Sequence, residues 1–247
     1  MSGLAKEQEP PSKKIKHETG DAVEGEVGST PGHAGLLTIE GKEHVGRGKR
    51  GCVTRVWFEP LGRWVAIKAP REEAAVNSVP NERLFLEKLN PHGIGPRLLI
   101  GDATRVVYQY VDGVGIVEYL KECTAGQAVA VLRAVFQQCF AMDSLGISKQ
   151  EMGWPEHHVL IGDDPSAPVM IDFERCRETH RPSNVSQFSN FMHMPSIRAL
   201  LLPKGIDLDR EHCRNLAIQY MRSGRTQESF QELVATLCVA ATPKPQK

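Results

Sequence analysis

Neither sign of charge is in excess: 30 Lys and Arg balance 30 Asp and Glu across 247 residues. The totals therefore carry no specific signal for nucleic acid or an anionic membrane. No apolar run approaches the roughly 20 residues a spanning helix needs, and the first residues lack the apolar core of a secretory signal. The expectation is a soluble, intracellular protein with no membrane association. Cysteines at 52, 123, 139, 176, 213 and 238 include no C-x-x-C pair, which argues against a zinc site or a disulfide framework. They read as small core residues. No internal repeat is present, and no G-K-[ST] follows any glycine cluster, which excludes a P-loop.

What remains is a chain with one sparse stretch and one patterned stretch. Residues 1–35 are rich in Gly, Glu, Lys, Pro and Ser and hold few large apolar groups. Such a segment cannot offset the entropy of folding and reads as a disordered tail, as does the short end at 241–247. Within the tail, Lys13, Lys14 and Lys16 form a weak basic signal resembling a nuclear-import motif, which leaves cytoplasmic and nuclear locations both open. Ile15-Lys16-His17-Glu18 resembles a SUMO-acceptor motif.

From residue 36 onward the pattern predicts one domain over 36–240. Leu36–Ile39, Val53–Glu59 and Trp64–Lys68 read as strands, with Pro60-Leu61-Gly62-Arg63 as a turn. A helix is expected from Pro80 to about Asn90, its apolar face formed by Leu84, Phe85, Leu86 and Leu89. Arg97–Gly101 and Arg105–Val111 read as a hairpin around Asp102-Ala103-Thr104. Beyond Asp112-Gly113 the period becomes helical: Val129, Leu132, Val135, Phe136, Cys139 and Phe140 recur every three or four residues. His158–Ile161 and Pro168–Phe173 flank the loop 162–167 as a further hairpin. Two or three more helices should follow, including Arg210–Arg222 and Gln227–Ala240. The fold class is thus α+β: a five-stranded antiparallel sheet with one helix (36–111), then a reduced, mainly helical part (114–240).

Three features carry chemistry. Gly46, Gly48 and Gly51, with Val53 after them, make a glycine-rich loop between strands; glycines let a backbone approach a polyphosphate where side chains would collide. Lys68 ends the strand Trp64-Val65-Ala66-Ile67-Lys68, where an ammonium could neutralise phosphate oxygens. Asp172 ends the apolar run Val169-Met170-Ile171, a position suited to a metal ligand. Glu82, at the start of the first helix, shares a face with Leu86 and Leu89 and could point at Lys68.

In order, G-R-G-K-R-G-C-V, V-A-I-K, N-E-R-L-F-L-E-K-L-N, Y-Q-Y-V-D-G and I-D-F-E resemble the glycine loop, strand lysine, helix glutamate, hinge and magnesium segment of the protein-kinase-like superfamily. Within that superfamily the chain more closely resembles small atypical kinases typified by archaeal predicted serine/threonine kinases, distantly related to the Rio and tRNA-modification-complex kinases. G-I-G-P-R-L-L at 93–99, the run at 146–161 and N-V-S-Q-F at 184–188 extend the resemblance over residues 36 to about 190. It implies a two-lobed fold and an ATP site between the lobes, lined by Gly46, Gly48, Gly51, Val53, Ala66, Lys68, Gln109 and Val111. It also implies Mg2+ on Asp172.

The departures are specific. Lys149-Gln150-Glu151 stands where such kinases have H-R-D, which makes Glu151 the acceptor-side carboxylate beside Lys68 and Glu82. The magnesium-binding asparagine is missing; His158 is the nearest positional match, with Glu156 and His157 adjacent alternatives, although imidazole is a softer ligand than magnesium prefers. Glu174 replaces the glycine after Asp-Phe, and no A-P-E follows. The expected function is a compact ATP- and Mg2+-dependent kinase acting on a hydroxyl acceptor such as protein Ser or Thr. Two alternatives are a pseudokinase acting as a nucleotide-binding or non-catalytic scaffold, and a small-molecule kinase.

Overall fold

The structure is a computed structural model that describes residues 40–47 and 51–240. Gly48, the basic signal, the SUMO-like motif and the strand expected at Leu36–Ile39 lie outside the described residues. The described residues belong to one compact unit. Its architecture is α+β, with a five-stranded antiparallel sheet and, among the described residues, seven α-helices.

The sheet contains β1 (Glu40–Arg47), β2 (Gly51–Phe58), β3 (Arg63–Pro70), β4 (Leu98–Gly101) and β5 (Val106–Gln109), in the order β1-β2-β3-β5-β4. Strand β1 was not anticipated. It sits at the sheet edge, where a polar sequence is tolerated because one side faces no partner strand. Gly46 therefore lies within a strand, paired with Val53, and a Cβ there would meet nothing within 4 Å. The tight link between β2 and β3 is a 3-10 turn, Glu59–Leu61, closed by Gly62 at φ 57°, a left-handed conformation that glycine adopts without strain. Across that hairpin Trp57 pairs with Trp64, their rings 5.7 Å apart edge to face, and the Arg55 guanidinium lies 4.8 Å from the Trp64 ring. Such cross-strand aromatic pairs contribute about 0.5–1 kcal/mol each. Asp102 shapes the β4–β5 hairpin: its Oδ1 accepts from the Thr104 and Arg105 backbone N–H groups and from the Thr104 hydroxyl.

Helix α1 (Val79–Leu89) buries Val79, Glu82, Phe85, Leu86 and Leu89. Leu84, expected on the apolar face, is exposed instead. At 100° per residue it falls outside the stripe set by positions 79, 82, 85, 86 and 89. Between α1 and β4, Gly95 takes φ 83°, and a Cβ there would come within 2.9 Å of both Leu86 and Phe173. The chain leaves the sheet after Tyr110, whose N–H donates to Trp64 O.

Beyond residue 113 come β6 (Val114–Gly115), α2 (Ile116–Glu122), α3 (Ala125–Ser144), β7 (Ile147–Ser148), β8 (Val159–Ile161), β9 (Val169–Met170) and β10 (Arg177–Glu178). The helices α4 (Asn184–Met192), α5 (Pro195–Leu201), α6 (Arg210–Arg222) and α7 (Gln227–Ala240) follow. That is four helices where two or three were expected. Helix α3 starts at a Thr124–Gln127 capping box, in which each side chain satisfies the other's otherwise orphaned N–H. It buries Val131, Leu132, Val135, Phe136, Cys139 and Met142, and Val129 and Phe140 pack on the rim of the same core. Phe136 meets Phe188 of α4 at 4.8 Å, and Phe140 stacks on Phe230 of α7 at 4.3 Å. Strands β6, β8 and β9 form a small sheet, and β7 pairs with β10. Cys123, Cys139, Cys176 and Cys213 are buried with free thiols, as core residues should be.

Candidate functional site

Lys68 is the fixed point. It sits in β3 opposite Val53 of β2 and Val106 of β5, and its side chain is only 7% exposed. Its Nζ lies 3.0 Å from Glu82 Oε2, 2.6 Å from Asp172 Oδ1 and 3.1 Å from Glu174 Oε2. An ammonium has three N–H donors, so these carboxylates satisfy all of them. Burial alone would depress the Lys68 ammonium, but Glu82, Asp172 and Glu174 together raise it well above the ordinary lysine value. Burial raises the Glu82 carboxyl despite Lys68 beside it. Asp172 is shifted the other way: burial opposes its ionisation, yet Lys68, Lys149 and His158 hold it below the usual carboxylate range.

These partners come from segments far apart in sequence. Glu82 projects from the buried face of α1. Asp172 follows β9 at φ 64°, a left-handed conformation that aspartate tolerates better than most residues. Glu174 is oriented by the Ser78 hydroxyl, which donates to its Oε2 at 2.8 Å. The Asn81 amide donates to the carbonyls of Glu174 and Cys176, at 2.9 and 3.0 Å. Thus α1 holds the segment that follows β9 at several points.

A second lysine braces the site from below. Lys149 has no exposed side-chain surface; its Nζ donates to Asp172 O at 2.7 Å and lies 5.0 Å from the Phe173 ring. A buried charge is expensive unless it is paired, and here the carbonyl, the ring face and Glu151 Oε2 at 3.8 Å share that task. The Lys149 backbone is set by Asn184, the first residue of α4. Its Oδ1 accepts from Lys149 N–H at 2.8 Å, and its Nδ2 donates to Asp143 Oδ1 and Ile147 O, both at 2.7 Å. Asp143 Oδ2 also accepts from the Tyr220 hydroxyl at 3.0 Å. Burial nevertheless pushes the Asp143 carboxyl up.

After Lys149, Gln150 turns through φ 63° and brings Glu151 toward the cleft. The structure brings Lys68, Glu82, Glu151, His158 and Asp172 together. His158 Nδ1 lies 3.8 Å from both Glu151 Oε2 and Asp172 Oδ2. Burial and Lys149 lower the His158 imidazole below its ordinary value, against the pull of Glu151 and Asp172. Glu151 Oε1 faces Arg175 at 3.4 Å. Of the neighbouring alternatives, His157 is exposed in a 3-10 turn and Glu156 only half-buried; neither joins the cluster.

The remaining positions are spread along the sheet. Val53 and Ala66 occupy β2 and β3, Ala66 being buried. Gln109 ends β5, its N–H donating to Arg97 O, and Val111 lies just past the strand. The roles of Ser78, Asn81, Asn184 and Tyr220 were not anticipated. Asn81 and Asn184 fell within motifs noted beforehand, N-E-R-L-F-L-E-K-L-N and N-V-S-Q-F; Ser78 and Tyr220 did not.

A divalent cation finds two groups of donors among the described residues: Glu151, His158 and Asp172, and Glu82, Asp172 and Glu174. The second already has the Lys68 ammonium at its centre, within 3.1 Å of all three carboxylates. The first fits a cation better, since Glu151 Oε2 and His158 Nδ1 are inaccessible to solvent and have no hydrogen-bond partner. Lys149 Nζ is 3.8 Å from that oxygen, too far for a hydrogen bond, so a cation bound by both atoms would satisfy them.

No protein-family model matches the chain, and no curated protein matches it.

Proposed function

We propose that the chain is a compact, kinase-like phosphotransferase of two lobes that moves the γ-phosphoryl group of ATP to a hydroxyl acceptor such as a protein Ser or Thr. The convergence of Lys68 and Asp172 at 2.6 Å carries this reading, because 104 residues separate them in the chain. Supporting it, Glu82 holds the same lysine, and Glu151 and His158 close the far side of Asp172.

In this reading Lys68 binds oxygens of the triphosphate, and Glu82 keeps its ammonium aimed at them. A divalent cation held by Asp172, with His158 and Glu151, would neutralise the phosphate charge. Glu151 orients the acceptor hydroxyl and takes its proton as the new O–P bond forms and the bond to the β-phosphate oxygen breaks. Asn184 fixes the backbone at Lys149, two residues before Glu151, and Lys149 Nζ holds Asp172 O, so both act as positioning residues. Four carboxylates, Glu82, Glu151, Asp172 and Glu174, crowd around Lys68 and Lys149. A free polyphosphate is repelled by that excess, so nucleotide should bind only with a divalent cation.

One observation favours a second reading, a nucleotide-binding scaffold without turnover. All three Lys68 donors already face carboxylates, Glu174 among them, and phosphate must displace one.

The experiment is transfer of label from ATP and a divalent cation to proteins of an extract, beside Asp172→Ala and Glu151→Ala variants. The kinase reading expects transfer by the wild type and none by either variant; equal labelling by wild type and Asp172→Ala overturns it. A thermal-shift titration separates the readings further. Nucleotide at about 100 times its dissociation constant should stabilise either a kinase or a binding scaffold by about 2.7 kcal/mol. The scaffold shows the shift but no transfer.

A further inference from the structure

The three donors at the mouth of the site are not a magnesium set. Magnesium takes oxygen ligands at about 2.0–2.1 Å in near-octahedral geometry and keeps several waters, whereas imidazole nitrogen suits first-row transition ions. Here His158 Nδ1 lies between two carboxylates, 3.8 Å from Glu151 Oε2 and 3.8 Å from Asp172 Oδ2. The donor atoms of the three residues all lie within 4.8 Å of one another. Ligands each about 2.1 Å from one ion stand about 3 Å apart at a right angle, so small side-chain movements would bring all three onto a common centre.

The surroundings favour such an ion. Glu151 Oε2 and His158 Nδ1 are shielded from water and lack hydrogen-bond partners. Asp172 divides its two oxygens, Oδ1 to Lys68 and Oδ2 toward the imidazole. Buried Lys149 donates to Asp172 O at 2.7 Å and lies 3.8 Å from Glu151 Oε2, which fixes the backbone beneath two of the ligands. Left-handed backbone at Gln150, just before Glu151, and at Asp172 itself turns the chain at two of the ligands, a conformation that few non-glycine residues adopt without a local cost.

We infer that Glu151, His158 and Asp172 form a site for a divalent first-row transition ion, selecting Mn2+ over Mg2+. The inference deepens the kinase reading, on which its catalytic meaning rests, but metal binding is measurable without nucleotide. Ligation through Oε2 leaves Glu151 Oε1, beside Arg175, on the acceptor side.

The test titrates the full chain, free of nucleotide, with Mn2+ while electron paramagnetic resonance follows loss of the free-ion signal. One ion should bind, and displacing it should take at least about tenfold more Mg2+ than Mn2+. Spin-echo modulation should show coupling to an imidazole nitrogen. In His158→Asn, shown to be folded by circular dichroism, the nitrogen coupling should vanish and the Mn2+ preference should fall by about tenfold. Glu151→Gln should weaken Mn2+ binding and leave the nitrogen coupling in place. Absence of Mn2+ binding, displacement by equimolar Mg2+, or unchanged selectivity in His158→Asn overturns the inference. A chain that binds Mn2+ in this way but transfers no phosphate defeats the kinase reading alone.

Discussion

Lys68 shows how much of this site is decided by counting donors. Its three N–H groups meet three carboxylates, so a phosphate can gain the lysine only if one of them withdraws. Glu82 is 1% exposed and fixed on α1, and Asp172 is tied through its carbonyl to Lys149. Glu174, whose carboxylate also accepts from the Ser78 hydroxyl, is the member whose charge can be removed with least disturbance. Glu174→Gln keeps the shape and can still accept from Ser78, but it removes one negative charge from beside the phosphate position. Nucleotide affinity should therefore rise about three- to tenfold, equivalent to about 0.7–1.4 kcal/mol, measured by titration calorimetry in the presence of the divalent cation. An unchanged or weaker affinity would mean that Glu174 does not compete for the lysine.

Among the elements, legibility follows the side on which each is buried. Helices α3, α6 and α7 each bury one stripe, and strand β3 buries Val65 and Ala66 on opposite faces; the helical periods and the strand's short apolar run are plain in the sequence. Strand β1 is an edge strand whose only β-branched residue is Val45, so no period announces it. Lys68, Glu82 and Asp172 were legible as an ordered series of motifs. The bonds from the Asn81 amide to Glu174 O and from the Lys149 N–H to Asn184 Oδ1 were not, because side-chain to backbone contacts between distant segments leave no local pattern. The same holds for Tyr220, on which a second prediction rests. Its hydroxyl donates from α6 to Asp143 of α3, the carboxylate that also anchors Asn184. Tyr220→Phe should destabilise the fold by about 1–3 kcal/mol at neutral pH, measured by urea unfolding. Burial already raises Asp143, and losing a donor to its charged form raises it further. The deficit should shrink as the solution is acidified and Asp143 takes up a proton; a deficit that grows would show that the charged form is not the one Tyr220 stabilises.

For the molecule as a whole, charged contacts dominate where the sheet and α1 meet the segment 172–178. Lys68 reaches Asp172 and Glu174, Asn81 reaches two carbonyls, and Lys88 pairs with Glu178. Proton uptake should therefore loosen the fold before any apolar core is disturbed. Two histidines set the first step. Burial and nearby cations lower His158 beside Lys149, and lower His193 beside Arg198 and Arg210. A histidine lowered in the fold binds its proton more weakly there than in the unfolded chain. Stability must then decline as pH falls from just above the ordinary histidine value, about 6.5, toward the lowered folded values. Asp172 adds to this at lower pH: its contribution is complete above the ordinary carboxylate value and is lost as pH falls through its depressed one. Glu82 and Asp143, both raised, work in the opposite direction. The histidine part is isolated by comparing the wild type with a His158→Gln, His193→Gln double variant. Between pH 7 and pH 5 the urea midpoint of the wild type should fall more than that of the double variant. Parallel pH profiles would show that the buried imidazoles do not control acid stability.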